Sequence, residues 1–138
     1  MTGVEPERGE GAKNTTVLTA DEGERREGYG NGTTERKGSV TIVNTDSLIS
    51  RTVGFDAFDG SAQRTALTEE GVVLKKNTAP SVDLEPEYIA VSGQKAYITL
   101  QEANAIAVLD LVSAACDGIY SAGVENYITV PGDREKEE

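Results

Sequence analysis

DLEPEYIAVSGQKAYITLQEANAIAVLDL, residues 83–111, decides the fold. It divides into three apolar runs, EYIAVS (87–92), KAYITLQ (95–101) and AIAVLDL (105–111). Each is long enough for one β-strand and rich in residues that suit a pleated, half-buried surface. The linkers are Gly93-Gln94 and Glu102-Ala103-Asn104, and connections this short make neighbouring strands antiparallel, so the stretch reads as a meander. AIAVLDL is apolar almost throughout, as expected of a strand covered on both faces where sheets stack.

Outward from this stretch, TTVLTA (15–20), SVTIVN (39–44) and a short run from Arg51 to Phe55 predict further strands. Between Asp59 and Gly71 the string DGSAQRTALTEEG predicts one short helix, with a start signal, a terminating Gly, and Ala62, Ala66 and Leu67 on one face. Phe55 and Phe58 flank Asp56 and are expected to anchor that helix; Lys75–Ser81 reads as a loop. Glu22–Gly38 reads as a long exposed loop with a tight turn at Asn31-Gly32. Residues 1–14 read as a flexible arm, 15–130 as the folded domain and 131–138 as a solvated charged tail.

The pattern recurs within the chain. TTVLTADE lies over KAYITLQE 80 residues on, and SVTIVN over AIAVLD 66 residues on, so that Asn44 meets Asp110 and Glu22 meets Glu102. Repetition of a meander is the mark of a propeller, whose blades take about 40–45 residues, so this length holds roughly three. The expected fold is all-β: an incomplete β-propeller of two to three antiparallel meander blades, with one short helix in an inter-strand insertion.

The blocks VLTADEGERREGYG (17–30), GSVTIVN (38–44), TVGFDAFDG (52–60) and above all residues 83–111 resemble the choice-of-anchor I domain. The resemblance runs from Thr15 to Tyr127 in the family's order. It implies a multi-bladed propeller considerably longer than this chain, in secreted or surface-attached bacterial proteins and some animal surface glycoproteins, sometimes beside phosphatase or phytase-like modules. It therefore implies an extracellular or cell-surface location. MTGVEPERGEGAKN lacks the charged-then-apolar order of an export signal, so the chain as written is expected to be cytoplasmic and a truncated piece of a larger ring. Bare blade faces and open sheet edges are then expected to self-associate.

Composition narrows the chemistry. With 24 acidic and 13 basic residues the formal charge is -11, which makes nucleic acid and anionic lipid poor partners. No apolar run approaches the roughly 20 residues that cross a bilayer, so membrane insertion is not expected. There is no His, which excludes imidazole bases and His-containing zinc sites. Cys116 is the single cysteine and has no cationic neighbour in sequence to activate it, so it reads as a buried structural thiol. The glycine-rich loop contains no G-x-x-x-x-G-K-[ST] and precedes a strand, so it is no phosphate cradle. Asn14 and Asn31 fit the glycosylation sequon, a triplet common by chance. Of the five tyrosines, Tyr88 and Tyr97 are expected to pack within the strands.

The candidate site is acidic. In an extended strand Asp83, Glu85 and Glu87 would form one row spaced by about 6.6 Å, and Pro86 favours extension at Glu85. In a propeller the innermost strand lines the central channel, which would set this row near an opening beside Glu102 and Glu22. Two readings stay open. Asp83, Glu85, Glu87 and Glu102 hold a hard cation, calcium, for which oxygen-only ligands are suited; or the carboxylates are solvated or paired with Lys or Arg. The absence of a D-x-D-x-D-G loop favours pairing. No other cofactor is expected. The functional expectation is a non-catalytic interaction module for a protein or small-molecule ligand. The alternatives are a calcium-dependent phosphoesterase-like hydrolase using the carboxylate cluster, and a fragment with no independent activity.

Overall fold

A computed structural model describes residues 15–23 and 36–123 of the chain. The N-terminal arm, the Asn31-Gly32 turn, both sequon asparagines, Tyr29, Tyr127 and the charged tail lie outside the described residues. β1 (Thr16–Asp21), β2 (Ser39–Asn44) and β3 (Ser50–Gly54) form one antiparallel sheet in that order. A 3-10 turn at Asp56–Phe58, α1 (Ser61–Glu69) and the single-turn α2 (Pro80–Asp83) follow. β4 (Ile89–Ser92), β5 (Lys95–Leu100), β6 (Ala105–Asp110) and β7 (Ala115–Ser121) then form a second antiparallel sheet, again in chain order. The fold is all-β: two open meander sheets with a helical connection between them.

Residues 83–111 form the meander their apolar runs predict, except at the start. Pro at the first helical position has its φ pre-set and no N–H to lose, so Pro80–Asp83 coils instead of extending, and the strand begins at Ile89. The expected row of Asp83, Glu85 and Glu87 on one strand therefore does not form. β7 was not foreseen. Val108 pairs with Gly118 and Leu109 with Cys116, which leaves Asp117 as a bulge; that extra residue breaks the alternation by which a strand is recognised.

α1 occupies the expected position but differs in both its cap and its face. Asp59 does not cap it: Gly60 is the N-cap, with no side-chain bond, and Asp59 turns to Ser81 instead. Ala62 and Ala66 are exposed, leaving Leu67 as the buried apolar residue of the helix. Phe55 is fully buried and Phe58 partly so, both against the main core.

The internal repeat is real at the turns. Asn44 Oδ1 accepts from the backbone N–H of Asp46 (3.0 Å) and Ser47 (2.9 Å), and Asp110 Oδ1 accepts from those of Val112 and Ser113 (both 2.9 Å). Each of these side-chain-closed turns ends in a left-handed residue, Leu48 (φ 58°) and Ala114 (φ 53°), before the next strand. The 66-residue spacing thus holds. The 80-residue one is a residue too long: Thr16 pairs with Asn44 and Lys95 with Asp110, so β1 and β5 correspond 79 apart.

One hydrophobic cluster joins the sheets. Leu18, Val40, Ile42 and Val53 from the first meet Ala96, Ile98, Leu100, Ala105, Ala107 and Leu109 from the second, with Phe55, Leu67, Val72 and Leu84 from the connection. Arg51 on β3 donates to the carbonyls of Leu111 (3.4 Å) and Val112 (3.2 Å), tying β3 to the β6–β7 turn. The two sheets bury opposite faces of the repeat. On β2 the buried residues are Val40 and Ile42, whereas their equivalents Ile106 and Val108 on β6 point away from the core.

Asp110 offers a clean test. The N–H of Ser113 and the ammonium of Lys95 hold its carboxyl at about 2, against an ordinary 3.8. A depressed carboxylate contributes stability that is present above pH 3.8 and is lost as pH falls through about 2. Asp110→Asn is expected to keep the turn, as Asn44 does, while flattening the acid limb of the stability profile; Asp110→Ala is expected to lose both. Melting temperatures between pH 2 and 7 measure this.

Candidate functional site

The chain from Val72 to Thr78 is fixed by four contacts. Val73 N–H donates to Ala103 O (2.8 Å), which lays this segment along the β5–β6 turn. Lys75 N–H donates to Asp83 Oδ2 (2.6 Å), and the guanidinium of Arg64, projecting from α1, donates to the carbonyls of Lys75 and Thr78. Asp59 completes the frame, accepting from Ser81 N–H and Ser81 Oγ, both at 2.7 Å. Ser81 is fully buried, so these two bonds satisfy groups that would otherwise be left without partners inside the protein.

This frame delivers Lys75 to the acidic residues. Its ammonium lies 3.4 Å from Asp83 Oδ1 and 3.5 Å from Glu102 Oε2. These three, with Glu85, line a cleft of about 580 Å³ that also includes Gly23, Lys76, Thr78 and Val82. Three of the four expected site residues, Asp83, Glu85 and Glu102, therefore do come together, and Glu22 lies close enough to act on Glu85. Glu87 does not line the cleft; its N–H donates to Thr99 O (3.0 Å), extending the β4–β5 ladder. Among the described residues no three His, Cys, Asp or Glu side chains converge as a metal-ligand set. The residues not singled out from sequence are Lys75, Arg64 and Asp59. Their only advance signal was Lys75-Lys76, a basic pair in a strongly acidic chain.

A family model matches residues 4–137, described as the choice-of-anchor I domain. The chain belongs to the choice-of-anchor I family. The match covers nearly the whole chain. No match to it was found among curated proteins or among solved structures.

In this choice-of-anchor I domain the cleft's electrostatics follow from burial and crowding. Burial pushes the Glu85 carboxyl up; Lys75 pulls it down, but Glu102, Asp83 and Glu22 add to the rise. Burial lowers Lys75, yet Asp83, Glu85 and Glu102 together hold it above its ordinary 10.5. Lys75 is therefore the fixed cation of the cluster and Glu85 its strained member. A raised carboxyl costs the folded state stability as pH climbs through and above the ordinary 4.5, because the fold resists its ionisation. Glu85→Gln is accordingly expected to melt higher than the parent at pH 7, with the advantage vanishing near pH 4. An equal difference at both pH values would show that ionisation is not the cause.

Cys116 is half-buried, and burial pushes its thiol up, which keeps it protonated and unreactive at neutral pH. No helix among the described residues is long and apolar enough to cross a membrane.

Proposed function

We propose that this choice-of-anchor I domain is a non-catalytic interaction module on the extracellular side of a surface protein. In this reading its two sheets are successive vanes of a β-propeller, and the cleft around Lys75 receives a cationic ligand or a basic protein surface. The observation that carries it is the Lys75 clamp. Asp83 is committed to Lys75 through both backbone and side chain, so it is not free to hold a metal or a water nucleophile. Glu85, Glu102 and Glu22 leave the cleft with an excess of negative charge, and the formal charge of -11 steers cations toward the molecule as a whole.

Fluorescence anisotropy with a labelled oligolysine peptide tests this. Binding should weaken about tenfold, equivalent to ~1.4 kcal/mol, in Glu85→Gln/Glu102→Gln, and should fall with added salt. Binding unchanged by the double substitution would remove the cleft from the function. The calcium-dependent phosphoesterase alternative, with Asp83, Glu85, Glu87 and Glu102 as ligands, requires Lys75 to leave the cluster. It would replace the binding reading if calcium-dependent turnover of a phosphomonoester or phosphodiester were found and were abolished by Glu85→Gln.

A further inference from the structure

The turns closed by Asn44 and Asp110 are alike, but the strands beside them differ. Thr16 pairs with Asn44 as Lys95 pairs with Asp110, and Ile42 with Arg51 as Val108 with Gly118. Lys95 thus stands at the place of Thr16, and Gly118 at that of Arg51. In the second sheet the long Lys95 side chain occupies this corner, its ammonium held by Asp110 and Asp117. In the first sheet the shorter Thr16 stands there, and a pocket of about 360 Å³ opens beside it, walled on the far side by Leu111 of the second sheet. Small-molecule sites take roughly 300–1,000 Å³, so this one suits a small ligand.

Its lining selects the charge of that ligand. Buried Ile42, with Leu111 and Ile49, supplies an apolar surface. Asn44 Oδ1 already accepts from Asp46 N–H, Ser47 N–H and Ser47 Oγ, which fixes the orientation of the amide and leaves Nδ2 a donor without a partner among the described residues. Arg51 donates from its two terminal nitrogens to the carbonyls of Val112 and Leu111. Those bonds steady the guanidinium at the pocket and use two of its five N–H donors. Among the described residues no carboxylate lines the pocket, although the chain carries a formal charge of -11. Donors and one held cation beside an apolar surface complement an anion with an apolar body. A single guanidinium balances one negative charge; a phosphate group, with roughly two, would leave a surplus in an already acidic molecule.

We propose that the pocket between Asn44, Arg51 and Leu111 binds a small free organic monocarboxylate, its oxygens on the Arg51 guanidinium and the Asn44 amide and its short aliphatic tail against Ile42, Ile49 and Leu111. The site lies at the opposite end of β1 from Gly23 and the Lys75 cleft, shares no lining residue with that cleft, and is independent of what the cleft binds. Titration of the full chain, labelled with 15N, with 4-methylpentanoate at pH 7 tests it. The side-chain amide of Asn44 and the Nε–H of Arg51 should shift together and saturate. The amide 4-methylpentanamide keeps the shape and loses the charge, and acetate keeps the charge and loses the tail; each should bind at least tenfold more weakly. The cation 4-methylpentylamine should leave both signals in place. Asn44→Asp keeps the oxygen that closes the turn, as Asp110 does, but sets a carboxylate where the amide donates, and should weaken 4-methylpentanoate binding more than tenfold with the melting temperature unchanged. Arg51→Met should abolish binding, but it also cuts the tie to the β6–β7 turn, so Asn44→Asp decides. No saturable shift, equal affinity for acid and amide, or full affinity in Asn44→Asp would each overturn the proposal. Shifts confined to Lys75, Lys76 and their neighbours would overturn it too, by placing the acid in the cleft.

Discussion

Asp83→Ala is expected to lower the unfolding free energy by about 3 kcal/mol, a large share of what holds a small domain together. Asp83 is 6 % exposed, and its carboxylate is the sole acceptor given to Lys75 N–H, at 2.6 Å. Truncation removes a charge-assisted bond and leaves a part-buried donor unsatisfied. The Lys75 ammonium, more than half exposed, rehydrates at little cost, so the backbone bond supplies most of the loss. Asp83→Asn, which keeps an acceptor oxygen, should cost only about 1 kcal/mol. Urea midpoints measure both. If the two substitutions cost the same, the ammonium pair and not the backbone bond is what matters. The Ala variant should also lose oligolysine discrimination, because Lys75 and the segment it anchors no longer set the width of the cleft.

Gly38→Ala should cost about 1–3 kcal/mol, although Gly38 has no unusual backbone angle to protect. A Cβ there would collide with the carbonyl oxygen of Leu84 and lie 2.8 Å from Pro86 Cδ, and Gly38 N–H already donates to Ser81 O (3.1 Å). The entrance to β2 is thus pressed against the DLEP segment. Gly→Ala ordinarily gains about 0.4–1 kcal/mol by restricting the unfolded chain, so a net stabilisation would mean that the DLEP segment yields. If it does not yield, amide exchange should rise at Ser81 and Leu84 before it rises in β5 and β6.

The meander was legible because its signals are local. Apolar runs separated by two or three residues leave antiparallel pairing as the only arrangement. The Asn44 and Asp110 turns were visible as an echo for the same reason: each closes on backbone two and three residues ahead. AIAVLDL was expected to be covered on both faces, but only the Ala105, Ala107 and Leu109 side is buried and Ile106 on the other side is exposed, because an apolar run marks a strand and not how many of its faces are covered. β7 escaped notice because the Asp117 bulge shifts its register by one, which to a reader of alternation turns a strand into a loop. Tyr88 and Tyr97 were expected to pack within the strands, but both are exposed; composition says that a tyrosine suits a strand, not which face is covered.

The acidic site divides along the same line. That Asp83, Glu85 and Glu102 are numerous and close in sequence follows from reading the chain, and so do the antiparallel strands and the family resemblance. That Lys75 stands among them, that Glu87 is turned into the β4–β5 ladder, and that one face of the second sheet is left bare are decided only in three dimensions. Lys75 reaches Glu102 through a bond from Val73 to Ala103, thirty residues along the chain, and is steadied by Arg64 and Asp83 from two different helices. Hydrophobic alternation fixes where a strand runs because each residue has only two sides to choose between. The partner of a charge depends on how distant segments close on one another, and no local pattern encodes that distance.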